Sequence, residues 1–288
     1  MGTIWEIDFY SRPIFDENKK KLWEVLICES PLDVKDSSES AFRFAKFCPN
    51  DRVNSVWLRT ALEEAIAQSG QTPQKIRFFR IAMNNMITKA CEDLGIAAYP
   101  SRRTFNINQW LNERMQEVYP HYPGFTPVGP NPSVQVQIQP PQPLPDALIG
   151  QRWAFVTLEA SAFAEMNEWE IGFKEAFPLQ ARGVTADTPI PGIIFFSSRA
   201  MPLSAWISGL ELACIKFDPG KQARLLLETG AIDRWILANI KDAATVAEAK
   251  KFEEAKQKAQ NVHFLAVQSD PQAESFAGFW LLQDLDLA

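Results

Sequence analysis

Two carboxylates open the chemical inventory. Asp8 lies in the apolar run Ile4-Trp-Glu-Ile-Asp-Phe-Tyr10, and Glu24 in the run from Leu22 to Glu29. An antiparallel hairpin would bring them near each other, and acidic groups so placed can hold a magnesium ion for phosphodiester hydrolysis. Nucleases of the restriction-enzyme type follow that glutamate, two positions on, with a lysine that activates the water. Here Glu24-Val25-Leu26 ends in leucine. Asp218 and Glu228 form a second pair on a second hairpin, again without the lysine. Ordinary edge carboxylates are the simpler reading of both. Only His121 and His263 could serve Ser-His-Asp or Cys-His chemistry, and no nucleophile elbow accompanies them. Phosphate-loop and dinucleotide fingerprints are absent. Cys28, Cys48, Cys91 and Cys214 are scattered and read as buried free thiols, not as a disulfide framework or zinc site. No catalytic residue, metal ligand or cofactor is expected, with a magnesium nuclease on Asp8 and Glu24 as the enzymatic alternative.

A different chemistry is spelled by interleaved cations and rings. Arg43-Phe44 precedes Lys46-Phe47, Arg77 and Arg80 flank two phenylalanines, and Tyr99 is followed by Arg102 and Arg103. Single-stranded RNA needs cations for its phosphates and planar side chains for its unstacked bases. Arg43, Lys46, Arg77, Arg80, Tyr99, Arg102 and Arg103 are therefore the RNA-binding candidates. The competing reading makes the rings core and the cations solvated or ion-paired. The run Lys19-Lys20-Lys21 reads as a solvated hairpin loop that discourages edge pairing. Net charge is −6 overall, but residues 1–126 carry 16 basic and 16 acidic groups against 13 and 19 in the remainder. A polyanion would meet the first part more readily.

The elements that must position these residues are mixed. Ile4 to Tyr10 and Leu22 to Glu29 form a hairpin, Asn54-Ser55 caps a helix ended by Gly70, and Lys75 to Arg80 is a strand. A helix from Met83 to Leu94, a strand from Ile96 to Tyr99 and a helix around Trp110 follow. Nine of the chain's 20 prolines fall between Pro120 and Pro145, around an alternating stretch at 133–139. This predicts a domain over 1–119, a proline-rich linker over 120–150 and a second domain over 151–288. The second contains strands at Trp153 to Leu158 and Ile193 to Ser197. A hairpin crosses Asp218-Pro219-Gly220-Lys221, a helix covers 245–260, and strands at Val262 to Gln268 and Ser275 to Leu285 close the chain. The fold class is α/β of the mixed α+β kind, each domain a mixed sheet with an antiparallel hairpin flanked by helices. Hairpin–helix–strand occurs in both parts, compatible with a degenerate nuclease-like duplication and equally with chance reuse of a common unit.

Several segments together resemble the Tab/Atab family of cyanobacteria and photosynthetic eukaryotes. They are Ile4 to Pro13, Lys75 to Arg80 with the helix to Gly95, Ser101-Arg-Arg-Thr104, Val262 to Gln268 and Gly278 to Leu282. Trp280-Leu281-Leu282 matches the family's C-terminal tripeptide. The resemblance runs from residue 4 to 285 and implies a non-catalytic RNA-binding factor, with a single-stranded mRNA leader as partner and a role in translation or biogenesis of photosystem proteins. Photosystem or ribosomal proteins are further partners, and a protein-binding assembly or scaffold factor is the alternative, with the tripeptide as docking element or structural anchor. No apolar run is long enough to span a membrane, and no signal or transit segment precedes Ile4. A cytoplasmic, cyanobacterial-type member is the expectation.

Overall fold

A computed structural model describes residues 3–36, 41–127, 139–150 and 152–285. Among them, 3–30 and 41–127 form one compact unit, and 31–36 with the residues from 139 onward form a second.

In the N-terminal unit, β1 (Ile4–Phe15), β2 (Lys21–Glu29) and β3 (Arg43–Cys48) run antiparallel. They are followed by α1 (Ser55–Ser69), β4 (Lys75–Phe78), α2 (Asn84–Glu92), β5 (Ala97–Pro100) and α3 (Phe105–Glu117). The sheet order is β3-β2-β1-β4-β5, with β4 parallel to β1 and β5 parallel to β4. The strand period of two sorts the side chains. Ile7, Phe9, Val25 and Ile27 pack with Leu58, Leu62, Ile87 and Cys91 of α1 and α2. Each such side chain contributes about 1.5–3 kcal/mol when fully buried. Leu26 and Cys28 turn to the opposite face and pack with Ile107 and Trp110 of α3. The Asn54 side chain accepts from Trp57 N (2.9 Å), and Gly70, at φ +69°, donates back to Ile66 O, so both ends of α1 are capped. Lys19 and Lys20 sit in the tight β1–β2 turn closed by Asp16 N to Lys20 O (2.9 Å).

The C-terminal unit holds β6 (Gln142–Pro143), β7 (Arg152–Glu159), β8 (Ile171–Glu175), β9 (Pro189–Phe196), α4 (Ala200–Ser208), β10 (Leu212–Asp218), β11 (Arg224–Thr229), β12 (Asp233–Asn239), α5 (Ala243–Lys258), β13 (Val262–Gln268) and β14 (Phe276–Gln283). They form two sheets, β7-β9-β13-β14-β8 and β10-β11-β12-β6. One core joins them, with Ile193, Leu203, Ile215, Leu227, Phe252, Leu265 and Trp280 from both sheets and both helices. Gly192 is required there: a Cβ would lie 2.3 Å from the Phe264 ring.

The mixed α/β class and both hairpins agree with the sequence. Strands β3, β6, β8 and β12 are additions; β3 carries Arg43 and Lys46 on an edge, which hides its alternation. The alternating stretch at 133–139 lies outside the described residues except for Gln139, whose N–H donates to Ile232 O (3.2 Å). The hairpin–helix–strand order recurs, yet its pairing differs. β4 extends the β1–β2 sheet, whereas β13 joins β9 and β14 in a sheet apart from the β10–β11 hairpin. Asp218 and Glu228 do not meet: Asp218 pairs with Arg224 at the turn, and Glu228 with Cys214 near the far end.

Candidate nucleic-acid interface

Asp8 and Glu24 do come together, on the α3 side of the N-terminal sheet, and both are fully buried. Buried carboxylates are tolerated only when paired and hydrogen-bonded. Arg12 supplies the central pairing, with Nη1 2.8 Å from Asp8 Oδ2 and Nε 3.1 Å from Glu24 Oε2. It reaches back because β1 bulges: four steps from Ser11 to Phe15 oppose two from Trp23 to Lys21. Arg80 Nε lies 2.5 Å from Asp8 Oδ1. Arg114 of α3 donates through Nη2 to Glu24 Oε1, and the Tyr119 hydroxyl donates to Glu24 Oε2 at 2.5 Å. Three of the four carboxylate oxygens accept hydrogen bonds from guanidinium or phenol donors, and Asp8 Oδ2 is held by its ion pair with Arg12. Burial alone would raise the Asp8 pKa, but Arg12 and Arg80 together hold it below the usual carboxylate range. Burial and then the adjacent Glu24 charge push the Tyr119 phenol well up, despite the opposing Arg12. Leu26, at the position where a nuclease would carry lysine, is buried. The described residues contain no group of three or more His, Cys, Asp or Glu suited to a metal. This donor set matches guanidinium, not magnesium.

A third buried carboxylate, Glu6, accepts from Ser30 Oγ and from Ile107 N in the first turn of α3, both at 2.8 Å. A negative charge there also complements the helix dipole. Glu6 stands in register with Arg77 on β4, which is 1 % exposed.

The sequence-derived candidates divide accordingly. Arg77 and Arg103 are each 1 % exposed, so they belong to the interior layer and do not offer their charge to solvent. Lys46 departs from the group in another way. It lies on the α1 side, paired with Glu64 (2.6 Å) and 5.6 Å over the Trp57 ring. The α3 side brings together Arg43, Arg80 and, on β5 in register with Arg77, Tyr99. Arg43 pairs with Glu113 (3.0 Å) and lies 5.2 Å over Trp110. Arg80 sits 4.2 Å from the Tyr10 centroid and 4.8 Å from that of Phe79. Tyr99 is 45 % exposed and approached by Lys75 Nζ at 5.9 Å. Arg102 is half-buried in the loop that follows. Sequence reasoning missed Arg12 and Arg114. Arg12 lies beyond Tyr10, where the expected strand ended, and beside a proline that suggests a turn; Arg114 is signalled only by its i+4 spacing from Trp110, over which it lies at 5.7 Å.

In the C-terminal unit, buried His263 accepts from Ile215 N through Nε2 (2.8 Å) and faces Asn261 O through Nδ1 (3.0 Å). Lys256 Nζ donates to Ile215 O (2.6 Å) and Glu253 Oε1 accepts from Phe217 N (2.7 Å). These groups complete the backbone bonds of β10 and form no open site. Trp280, Leu281 and Leu282 lie on β14, an inner strand, and are buried. Reaching a partner with them would require opening the sheet.

Known proteins place this architecture. The family model described as "RNA-binding protein Tab2/Atab2 N terminal" matches residues 4–114, and that of "RNA-binding protein Tab2/Atab2, C-terminal domain" matches residues 131–283. The chain belongs to the Tab2/Atab2 family of RNA-binding proteins. It is 40% identical to "Protein TAB2 homolog, chloroplastic" of Zea mays, over 98% of this chain and 71% of that protein. It is 39% identical to the protein of the same name in Arabidopsis thaliana, over 98% and 74%. No solved structure matches. The cytoplasmic expectation is corrected here, since both relatives are named chloroplastic. No helix among the described residues is long and apolar enough to cross a membrane.

Proposed function

We propose that this protein binds single-stranded RNA without cleaving it, takes an mRNA leader as its target, and supports translation or biogenesis of photosystem proteins. The observation that carries the RNA-contacting face is the gathering of Arg43, Arg80 and Arg114 against aromatic rings on the α3 side of the N-terminal sheet. Tyr99 and Arg102 extend that face with a ring for base stacking and a cation for phosphate. Arg77 and Arg103 act from beneath as fixed positive charge. The non-catalytic part of the reading rests on the engagement of every Asp8 and Glu24 oxygen by arginine or tyrosine. The photosystem part rests on the family resemblance, and the relatives' chloroplastic names fit a compartment that translates such messages.

Titrating the full chain with single-stranded RNA at several salt concentrations tests this. Log affinity should fall linearly with log salt, by about 0.7 per phosphate contacted. Absent binding, or binding indifferent to salt, ends the proposal. Incubation with RNA and Mg²⁺ or Mn²⁺ should leave the RNA intact; cleavage abolished by Asp8→Ala would reverse the non-catalytic reading.

A further inference from the structure

We propose that the ionic chain running from Arg80 through Asp8, Arg12 and Glu24 to Arg114 is a holding site for one backbone phosphodiester of single-stranded RNA. Arg12 fills the place between the two carboxylates that a metal ion would take in a hydrolytic site. The inference rests on the RNA-binding reading above and locates one contact within it.

The charge balance is the first support. Two buried carboxylates face three guanidiniums, and among the described residues no further carboxylate pairs with any of the three. The chain therefore alternates in sign, ends in a cation at both ends, and carries one positive charge in excess. A phosphodiester carries one negative charge. Binding it would neutralise the cluster, where a divalent cation would add to an excess already present.

Geometry is the second support. Arg12 is 2 % exposed and committed to both carboxylates, whereas the ends of the chain reach the surface, with the Arg80 side chain 18% and the Arg114 side chain 13% exposed. Asp8 takes the Nε of Arg80, and among the described residues no acceptor takes its two Nη groups. Glu24 takes Nη2 of Arg114 and Tyr119 accepts from its Nε at 3.4 Å, which leaves Nη1. Both guanidinium planes are fixed by rings, Arg80 by Tyr10 and Phe79, Arg114 by Trp110 and Tyr119. Planar, weakly hydrated, pre-oriented donors suit phosphate oxygens, and little side-chain freedom remains to be lost on binding. The site holds the diester and does not cleave it: a guanidinium does not generate hydroxide from water as a bound metal ion does, and Leu26 stands where a water-activating lysine would be needed.

The test uses the full chain, a single-stranded RNA oligonucleotide and a salt series. Arg80→Gln and Arg114→Gln should each weaken binding about tenfold or more, as loss of a charge-assisted hydrogen bond implies. Each should make the salt slope shallower by about 0.7. The double variant should lose no more slope than either single one, because one phosphate is shared; a loss twice as large would mean two separate contacts and overturn the proposal. Arg80→Lys and Arg114→Lys keep the charge, so they should keep the slope while losing affinity. On the unsubstituted chain, RNA should slow phenylglyoxal modification of Arg80 and Arg114 together, a readout that needs no variant to fold. Folded variants that bind like the parent, or modification unaffected by RNA, overturn the proposal and leave RNA binding standing. A parent chain that binds no RNA removes both readings. Equal affinity for inorganic phosphate and for the RNA would also overturn it, since the holding site would then be for a free anion.

Discussion

In the N-terminal unit, β1 completes its backbone bonds against another strand: Ile4, Trp5 and Glu6 pair with Lys75, Ile76 and Arg77 of β4. In the C-terminal unit, β10 holds the same place in the hairpin–helix–strand order, but side chains complete it. His263, Lys256 and Glu253 bond Ile215 N, Ile215 O and Phe217 N. The two units bury ionisable groups for different purposes. Those packed along β10, His263, Lys256 and Glu253, bond mainly to backbone amides and carbonyls and close the structure. Those of the N-terminal unit bond mainly to one another and leave two arginines at the surface. Buried polar groups with all partners in the backbone specify a fold. Buried charges whose chain ends at solvent can do that and also present charge to a ligand.

The largest expected effect breaks the two networks separately. Arg12→Met leaves two buried carboxylates each short of a partner and should destabilise the protein by about 3–5 kcal/mol. Lys256→Met leaves the Ile215 carbonyl without its donor and should cost about 1–3 kcal/mol. Chemical denaturation of the full chain gives both numbers, and hydrogen exchange assigns each loss to its unit. An Arg12→Met loss below that of Lys256→Met would show that the ionic chain does not carry the N-terminal unit as argued.

Acid should separate the units at intermediate cost. Burial, and then the nearby Lys256 charge, hold His263 well below its ordinary pKa of 6.5, so the folded ring stays neutral. Below that value the unfolded chain takes up a proton that the folded one refuses. The His263 contribution is therefore full above about pH 6.5 and falls as pH drops below it. Asp8 is also held low in the folded state, but its contribution is present above the ordinary value of 3.8 and is lost as pH falls below it. Between pH 7 and pH 5 the C-terminal unit should weaken on account of His263 while Asp8 costs the N-terminal unit nothing. Unfolding midpoints across this range measure the slope, and His263→Gln should flatten it. A slope that survives the substitution would remove His263 as its source.

The contrast also explains what could be seen in the sequence. The β1–β2 hairpin, the Asn54 and Gly70 ends of α1 and the turn at Asp218-Pro219-Gly220 were legible because each depends on neighbours in the chain. The Arg12 contacts were not, because Pro13 beside it suggests a turn while the strand continues through a bulge. Arg114 meets Glu24 across 90 residues, and no local pattern announces such a pair. The interleaved cations and rings at 77–80 and 99–103 were visible as a group. Which cations face inward was not, because that is decided by Glu6 on a different strand and by α3 above it. The candidate surface was thus half legible: its residue types were apparent, while its sorting into interior and surface was set by long-range pairing.

The smallest effect offers the sharpest test of which face of the N-terminal unit meets RNA. Arg43 and Lys46 are three residues apart on β3, so they project to opposite faces. Their settings are otherwise alike. Arg43 is paired with Glu113 and stacked on Trp110, Lys46 is paired with Glu64 and stacked on Trp57, and their side chains are 33% and 36% exposed. Ion pairs so exposed contribute about 0–1 kcal/mol, so alanine at either position should change stability little and to a similar extent. RNA affinity should distinguish them. Arg43→Ala should weaken binding several-fold and make the salt slope shallower, because it removes a cation from the α3 side. Lys46→Ala should leave affinity and slope as they are, because the α1 side carries no part of the contact. Equal losses at both positions would mean that the RNA responds to the net charge of the unit and not to one face. That result would remove the distinction drawn between a closing network and a presenting one.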